Sequence, residues 1–119
     1  MTFAFEGLEI YQRALDFSVT VIKIIDEIET SRKHLRLIEQ LEASCTSVAL
    51  NISEGKGRYS KKEFKQYLYI ARGSLYETVT MLQIFVKIKW MQKGIYDELY
   101  SEAEEINRML SGLINSIKN

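Results

Sequence analysis

Not one proline interrupts this 119-residue chain, and its apolar residues recur at three- and four-residue steps in every long segment. Proline inside a helix removes a backbone hydrogen bond and clashes with the preceding turn, so its absence leaves long helices intact. The spacing predicts an all-α chain.

Four helices follow from the pattern. The first runs from about Leu8 to Glu29, where Ile10, Ala14, Phe17, Val21, Ile24, Ile25 and Ile28 join Tyr11, Leu15 and Ile22 on a wide apolar face. Glu9, Arg13, Asp16, Lys23 and Glu27 take the other side, and Thr30 and Ser31 offer a stop and a restart. The second runs from about Arg32 to Glu54 and aligns Leu35, Ile38, Leu41, Cys45, Val48 and Ile52. Gly55 and Gly57 end it, each able to take the left-handed backbone that closes a helix. Ser60 with Glu63 three residues later resembles a capping box opening the next helix. The fourth, about Ile95 to Ile117, carries one stripe of Leu99, Ala103, Ile106, Leu110, Leu113, Ile114 and Ile117 on an otherwise largely acidic or polar surface.

The third helix, about Lys61 to Gln92, carries two stripes. Phe64, Tyr67, Leu68, Ala71, Leu75, Thr78, Leu82 and Phe85 share one face, while Ile70, Gly73, Glu77, Ile84 and Ile88 lie roughly opposite. The first stripe suits a bundle core. The second either meets a neighbouring subunit or widens the contact with helices of the same bundle. Gly73, with Ser74 beside it, favours close approach of another backbone, because glycine in a helix costs about 0.5–1 kcal/mol relative to alanine. A carboxylate at Glu77 on that face calls for a partner, for which Arg58, Lys61 and Arg72 are candidates.

Asn51 flanks the stripe of the second helix and can donate its amide to a neighbouring helix. Glu54 can approach the positive end of the third helix. Together with Glu77 and Arg58 these residues form either a polar network that fixes the hairpin or a binding site.

Length and a hydrophobic content of 46% fit one domain over residues 1–119, a size that buries roughly two-thirds of its unfolded surface. No apolar run reaches the ~18 residues of a membrane span, and the start MTFAFEGLE lacks the basic and apolar regions of a secretory signal. A cytoplasmic location is therefore expected. The lone Cys45 has no intramolecular partner and suits a reducing compartment.

A net charge of zero conceals an uneven distribution. Residues 32–93 hold 12 basic against 5 acidic side chains, +7, whereas residues 1–31 and 94–119 carry −4 and −3. Lys56, Arg58, Lys61, Lys62 and Lys65 surround the central turn with Tyr59 among them, a set able to meet phosphates and stack one base. Arg32, Lys33, His34 and Arg36 make a second basic group, and Lys87, Lys89 and Lys93 with Trp90 a third. In an up-and-down bundle the central turn lies at the end opposite the other two.

The order and spacing of several polar residues and glycines resemble the bacterial four-helix bundle proteins first noticed in intervening sequences of 23S ribosomal RNA genes. That family's approximate pattern, S-x-x-x-N-I-A-E-G, then G-R, a basic run, a phenylalanine and A-x-G-S-x-x-E, is matched by Ser47, Asn51, Ile52, Glu54, Gly55, Gly57, Arg58, Phe64, Ala71, Gly73, Ser74 and Glu77. Leu8–Ala14 and Glu39–Leu41 are similar as well. Ala49 stands where the family often has proline, and Glu42 and Ala43 where it often has arginines. The resemblance implies an antiparallel up-and-down four-helix bundle assembling into a homopentamer, with no established enzymatic activity. Bundles related in fold serve as accessory proteins of diversity-generating retroelements.

Enzymatic readings fail on residue requirements. Di-iron bundles need Glu-x-x-His pairs, which the only histidine, His34, does not supply. Zinc sites usually take several Cys or His ligands, and the chain has one of each. There is no G-x-S-x-G elbow or phosphate loop, and Glu54 with Glu77 is a carboxylate pair whose spacing does not single out magnesium. The expectation is a non-enzymatic, cofactor-free and metal-free homo-oligomer that binds RNA or DNA, with a protein-interaction scaffold as the alternative and no membrane partner.

Overall fold

The computed structural model describes residues 2–28 and 34–118. A 3-10 turn at Ala4–Gly7 precedes α1 (Glu9–Ile25), α2 (Leu35–Lys56), α3 (Lys61–Lys87) and α4 (Lys93–Ser116). Each helix packs on its neighbours in the chain and α1 also meets α4, whereas no contact joins the diagonal pairs among the described residues. The result is the expected up-and-down four-helix bundle, 46 Å long and 23 Å across.

The core is built from the predicted stripes. Phe17 and Val21 of α1, Leu41 and Val48 of α2, Leu68, Leu82 and Phe85 of α3, and Ile106 and Leu110 of α4 are fully buried, each worth about 1.5–3 kcal/mol of transfer free energy. Leu15 and Leu35, assigned to the same faces by spacing, are exposed. Leu35 opens its helix, and neither residue joins the core cluster. Ser18 Oγ donates to the Cys45 carbonyl at 2.8 Å and ties α1 to α2.

Helix ends depart from the sequence reading. Regular helix in α1 ends at Ile25, and α2 begins at Leu35; Glu29, Thr30, Ser31, Arg32 and Lys33 lie outside the described residues. Helix α3 stops at Lys87, short of Gln92, because Lys89 takes φ 69°. The Trp90 amide then donates to the Phe85 carbonyl at 2.9 Å and the Lys89 amide to that of Val86 at 3.1 Å, the paired closure of a Schellman motif. The Phe85 and Trp90 rings meet edge to face at 5.1 Å and seal the turn. Glycine usually fills that left-handed position, so a lysine there hid the stop.

Conversely, neither Gly55 nor Gly57 is left-handed; Gly57 caps α2 at φ −80°. Gly55 serves by being small. A β-carbon on it would lie 2.5 Å from Tyr67 Cβ, so α2 and α3 pass closely there. Ser60 caps α3 as expected, its Oγ accepting the Glu63 amide at 3.1 Å. The return bond differs from a full capping box, since the Glu63 carboxylate accepts from Ser60 Oγ at 3.2 Å.

Candidate functional site

Four residues join α2 to α3 at the bundle end, and the basic side chains of the hairpin gather around them. Lys56, Arg58, Tyr59, Lys61 and Lys62 are exposed, and Lys65 is half-buried. Tyr59 reaches 101% relative exposure, so its ring touches essentially nothing. Arg58 is engaged at the surface: its Nη2 donates to Glu54 Oε1 at 2.8 Å and to the Tyr67 hydroxyl, with the guanidinium 4.8 Å from the Tyr67 ring centre. The hydrogen bond to Glu54, then the Tyr67 hydroxyl, pushes the Arg58 pKa up from its ordinary value. The Lys56 ammonium lies 5.6 Å from the Phe64 ring centre.

Glu54, Arg58 and Tyr67 thus form an exposed polar cluster that joins the end of α2 to α3. Glu63 is engaged by Ser60. Lys61, Lys62 and Lys65 occupy the first turns of a 27-residue helix whose amide end adds positive potential. The arrangement presents cations and one free aromatic face to solvent.

Glu77 takes no part in it. It sits ten residues beyond Tyr67 on α3, about 15 Å of helix rise, and is exposed. Among the described residues of one chain it pairs with none of Arg58, Lys61 and Arg72. Arg72 instead donates to Ser111 Oγ on α4 at 3.1 Å and lies over Tyr69. Asn51 likewise does not reach across: its amide donates to the Ser47 carbonyl and Oγ of its own helix at 2.8 and 2.9 Å.

The crossing bonds come from smaller residues. Ser74 Oγ donates to Ser47 Oγ at 2.9 Å, and Thr78 shares a 2.9 Å hydrogen bond with Ser44 Oγ while donating to the Ser74 carbonyl. This hydroxyl ladder between α2 and α3 was not legible beforehand, since Ser44 and Thr78 sit within apolar stripes. Their three- and four-residue spacing with Ser47 and Ser74 was the available signal.

The second stripe of α3 is left partly open by the chain's own helices. Ile70, Ile84 and Ile88 are 52%, 38% and 42% exposed, so the bundle covers this stripe only in part. Gly73 is exposed, and a β-carbon on it would meet nothing within 4 Å, so no backbone of the same chain explains it.

At the opposite end, His34 meets Trp90 edge to face at 5.3 Å and Lys93 pairs with Asp97 at 2.8 Å. Arg32 and Lys33 lie outside the described residues. Among the described residues, no three His, Cys, Asp or Glu side chains gather as a metal-ligand set, and no helix is long and apolar enough to cross a membrane.

The fold has a solved counterpart. A protein of unknown function from the S23 ribosomal protein family of Bacteroides thetaiotaomicron VPI-5482 superimposes with a TM-score of 0.83 at 23% identity, covering 90% of this chain and 99% of that one. At that identity the likeness is one of fold. No curated protein matches the chain. The family model of the 23S rRNA-intervening sequence proteins matches residues 6–112, nearly the whole described bundle. With the hairpin residues and the four-helix architecture in agreement, the chain belongs to the 23S rRNA-intervening sequence protein family.

Proposed function

We propose that this protein is a non-catalytic, cytoplasmic helical bundle that binds RNA or DNA at the α2–α3 hairpin end. The observation that carries the reading is the fully exposed Tyr59 ring among the exposed ammonium groups of Lys56, Lys61 and Lys62. From residue 56 to 65 five cations face one carboxylate, Glu63, itself engaged by Ser60. Lysines supply phosphate contacts whose strength falls with salt, and a free ring supplies a stacking surface.

Copies of the chain associate, in this reading, through the outer face of α3 around Ile70, Gly73, Ile84 and Ile88, in the homopentamer that the family resemblance implies. A ring multiplies each hairpin end five-fold and turns a neutral chain into a localised positive surface. The same exposed isoleucines support the alternative, a scaffold that recruits another protein without touching nucleic acid.

Titrating fluorescent RNA and DNA oligonucleotides between 50 and 200 mM salt separates these readings. Binding that weakens steeply with salt, and whose salt slope drops by about 0.7–0.9 for each of Lys56, Lys61 and Lys62 changed to glutamine, is the expected result. No binding at 50 mM salt overturns it in favour of the scaffold. Light scattering at several concentrations tests assembly: an oligomer that Gly73→Leu splits with helicity intact is expected, and a monomer throughout removes it.

A further inference from the structure

We infer that the hairpin end selects single-stranded nucleic acid, with Phe3 as a second stacking platform at the same end of the bundle as Tyr59. This rests on the proposed nucleic-acid role and narrows it to the form of the strand. Phe3 lies more than fifty residues from the hairpin in sequence, yet the turn Ala4–Gly7 packs against α2 and brings it to the same bundle end. The turn is held in place by three contacts. The Phe3 amide donates to Glu6 Oε1 at 2.9 Å, Gln12 Nε2 donates to the Glu6 carbonyl at 2.8 Å, and the Phe5 and Tyr11 rings meet edge to face at 4.9 Å.

Phe3 nevertheless stays 61% exposed, stacked on Phe5 with 5.8 Å between ring centres and 21° between planes. Burial therefore does not account for its ring, while its position is fixed. An open groove of about 380 Å³ runs between Phe3, Phe5 and the end of α2 carrying Lys56 and Arg58. Glu54 lines it too and pairs with Arg58, so Lys56 is the cation there that can meet a backbone phosphate while the phenyl ring offers a face to a base.

Two exposed rings at a cationic end discriminate between strand forms. A duplex carries the denser charge, one per ~1.7 Å against ~3.4 Å for one strand, so a purely electrostatic site prefers duplex. Duplex bases are already stacked on one another and cannot use Phe3 and Tyr59. Unpaired bases can, and stacking tolerates any sequence.

The test is fluorescence anisotropy of the full-length protein with a 30-nucleotide single strand, as RNA and as DNA, and with the matching 30-base-pair duplexes, all at 100 mM salt. Single strands are expected to bind at least tenfold more tightly than duplex. Phe3→Ala and Tyr59→Ala should each weaken single-strand binding by about 5- to 100-fold and leave duplex binding within twofold, while Phe3→Trp and Tyr59→Phe retain it. Duplex binding as tight as single-strand binding, or a Phe3→Ala variant that binds like the parent, overturns this inference and leaves the electrostatic role standing. Binding to none of the four probes at any salt overturns that role together with it.

Discussion

Gly55 on α2 faces Tyr67 on α3 so closely that a β-carbon on the glycine would stand 2.5 Å from the tyrosine β-carbon. Tyr67 Cβ is fixed to the α3 backbone and cannot swing aside. One side chain of Tyr67 therefore serves twice, setting the approach of the helices through Cβ and receiving Arg58 at its hydroxyl.

Gly55→Ala should destabilise the fold by roughly 1–3 kcal/mol, because overpacking outweighs the gain in helix propensity. Gly73→Ala should do the reverse for the single bundle, measured at a concentration where the chain is monomeric, and stabilise by about 0.5–1 kcal/mol, since nothing of its own chain lies within 4 Å of the added methyl. Denaturant titrations of both variants check the contrast, and a shift of the same sign in the two would contradict it.

Lys89→Gly should also stabilise, by about 1 kcal/mol. A lysine at φ 69° bears the steric cost of the left-handed region that glycine avoids. The surrounding hydrogen bonds and the Phe85–Trp90 contact use the Phe85 and Trp90 side chains and main-chain groups alone, so they survive the change. A higher unfolding temperature is the expected readout, and a lower one would mean that the lysine side chain supports the turn.

These positions mark where sequence reasoning reached and where it stopped. Four helices and their buried faces were legible because Phe17, Leu41, Leu82 and Ile106 repeat at helical spacing. Glycine was misleading as a marker of left-handed backbone: Gly55 and Gly57 stay right-handed, and the residue that turns is Lys89. Glu77 looked costly on a covered face, but the chain's own helices leave it exposed. The basic hairpin was visible as composition, but Phe3 joins it through tertiary packing of the first turn on α2, which no local pattern encodes.

The hydroxyl ladder predicts coupling across α2 and α3. Thr78→Val should cost about 1–2 kcal/mol by leaving Ser44 without its cross-helix partner, and Ser44→Ala about 1 kcal/mol. Removing both hydroxyls strands neither group, so the double variant should cost less than the sum of the single changes by at least ~0.5 kcal/mol. Strict additivity in the double-mutant cycle would show that the two hydroxyls act independently.

Cys45 gives the chain a defined alkaline weakness. Its side chain is fully buried, and desolvation, reinforced by the nearby Glu42 carboxylate, pushes its pKa from 9.0 up to about 11. The native thiol therefore keeps its proton at pH values where the unfolded chain has lost it. The stabilisation this represents is fully present below pH 9 and is lost as pH rises toward 11, a decline of roughly 2–3 kcal/mol. Cys45→Ala removes that titration, so its stability, though lower at pH 8 by the lost packing, should fall less steeply from pH 9 to 11 than that of the parent. Tyrosine ionisation contributes equally to both proteins and cancels in the comparison. Equal slopes in urea titrations across this window would place the Cys45 thiol in contact with water, as would rapid labelling of the native protein by a thiol reagent at pH 8.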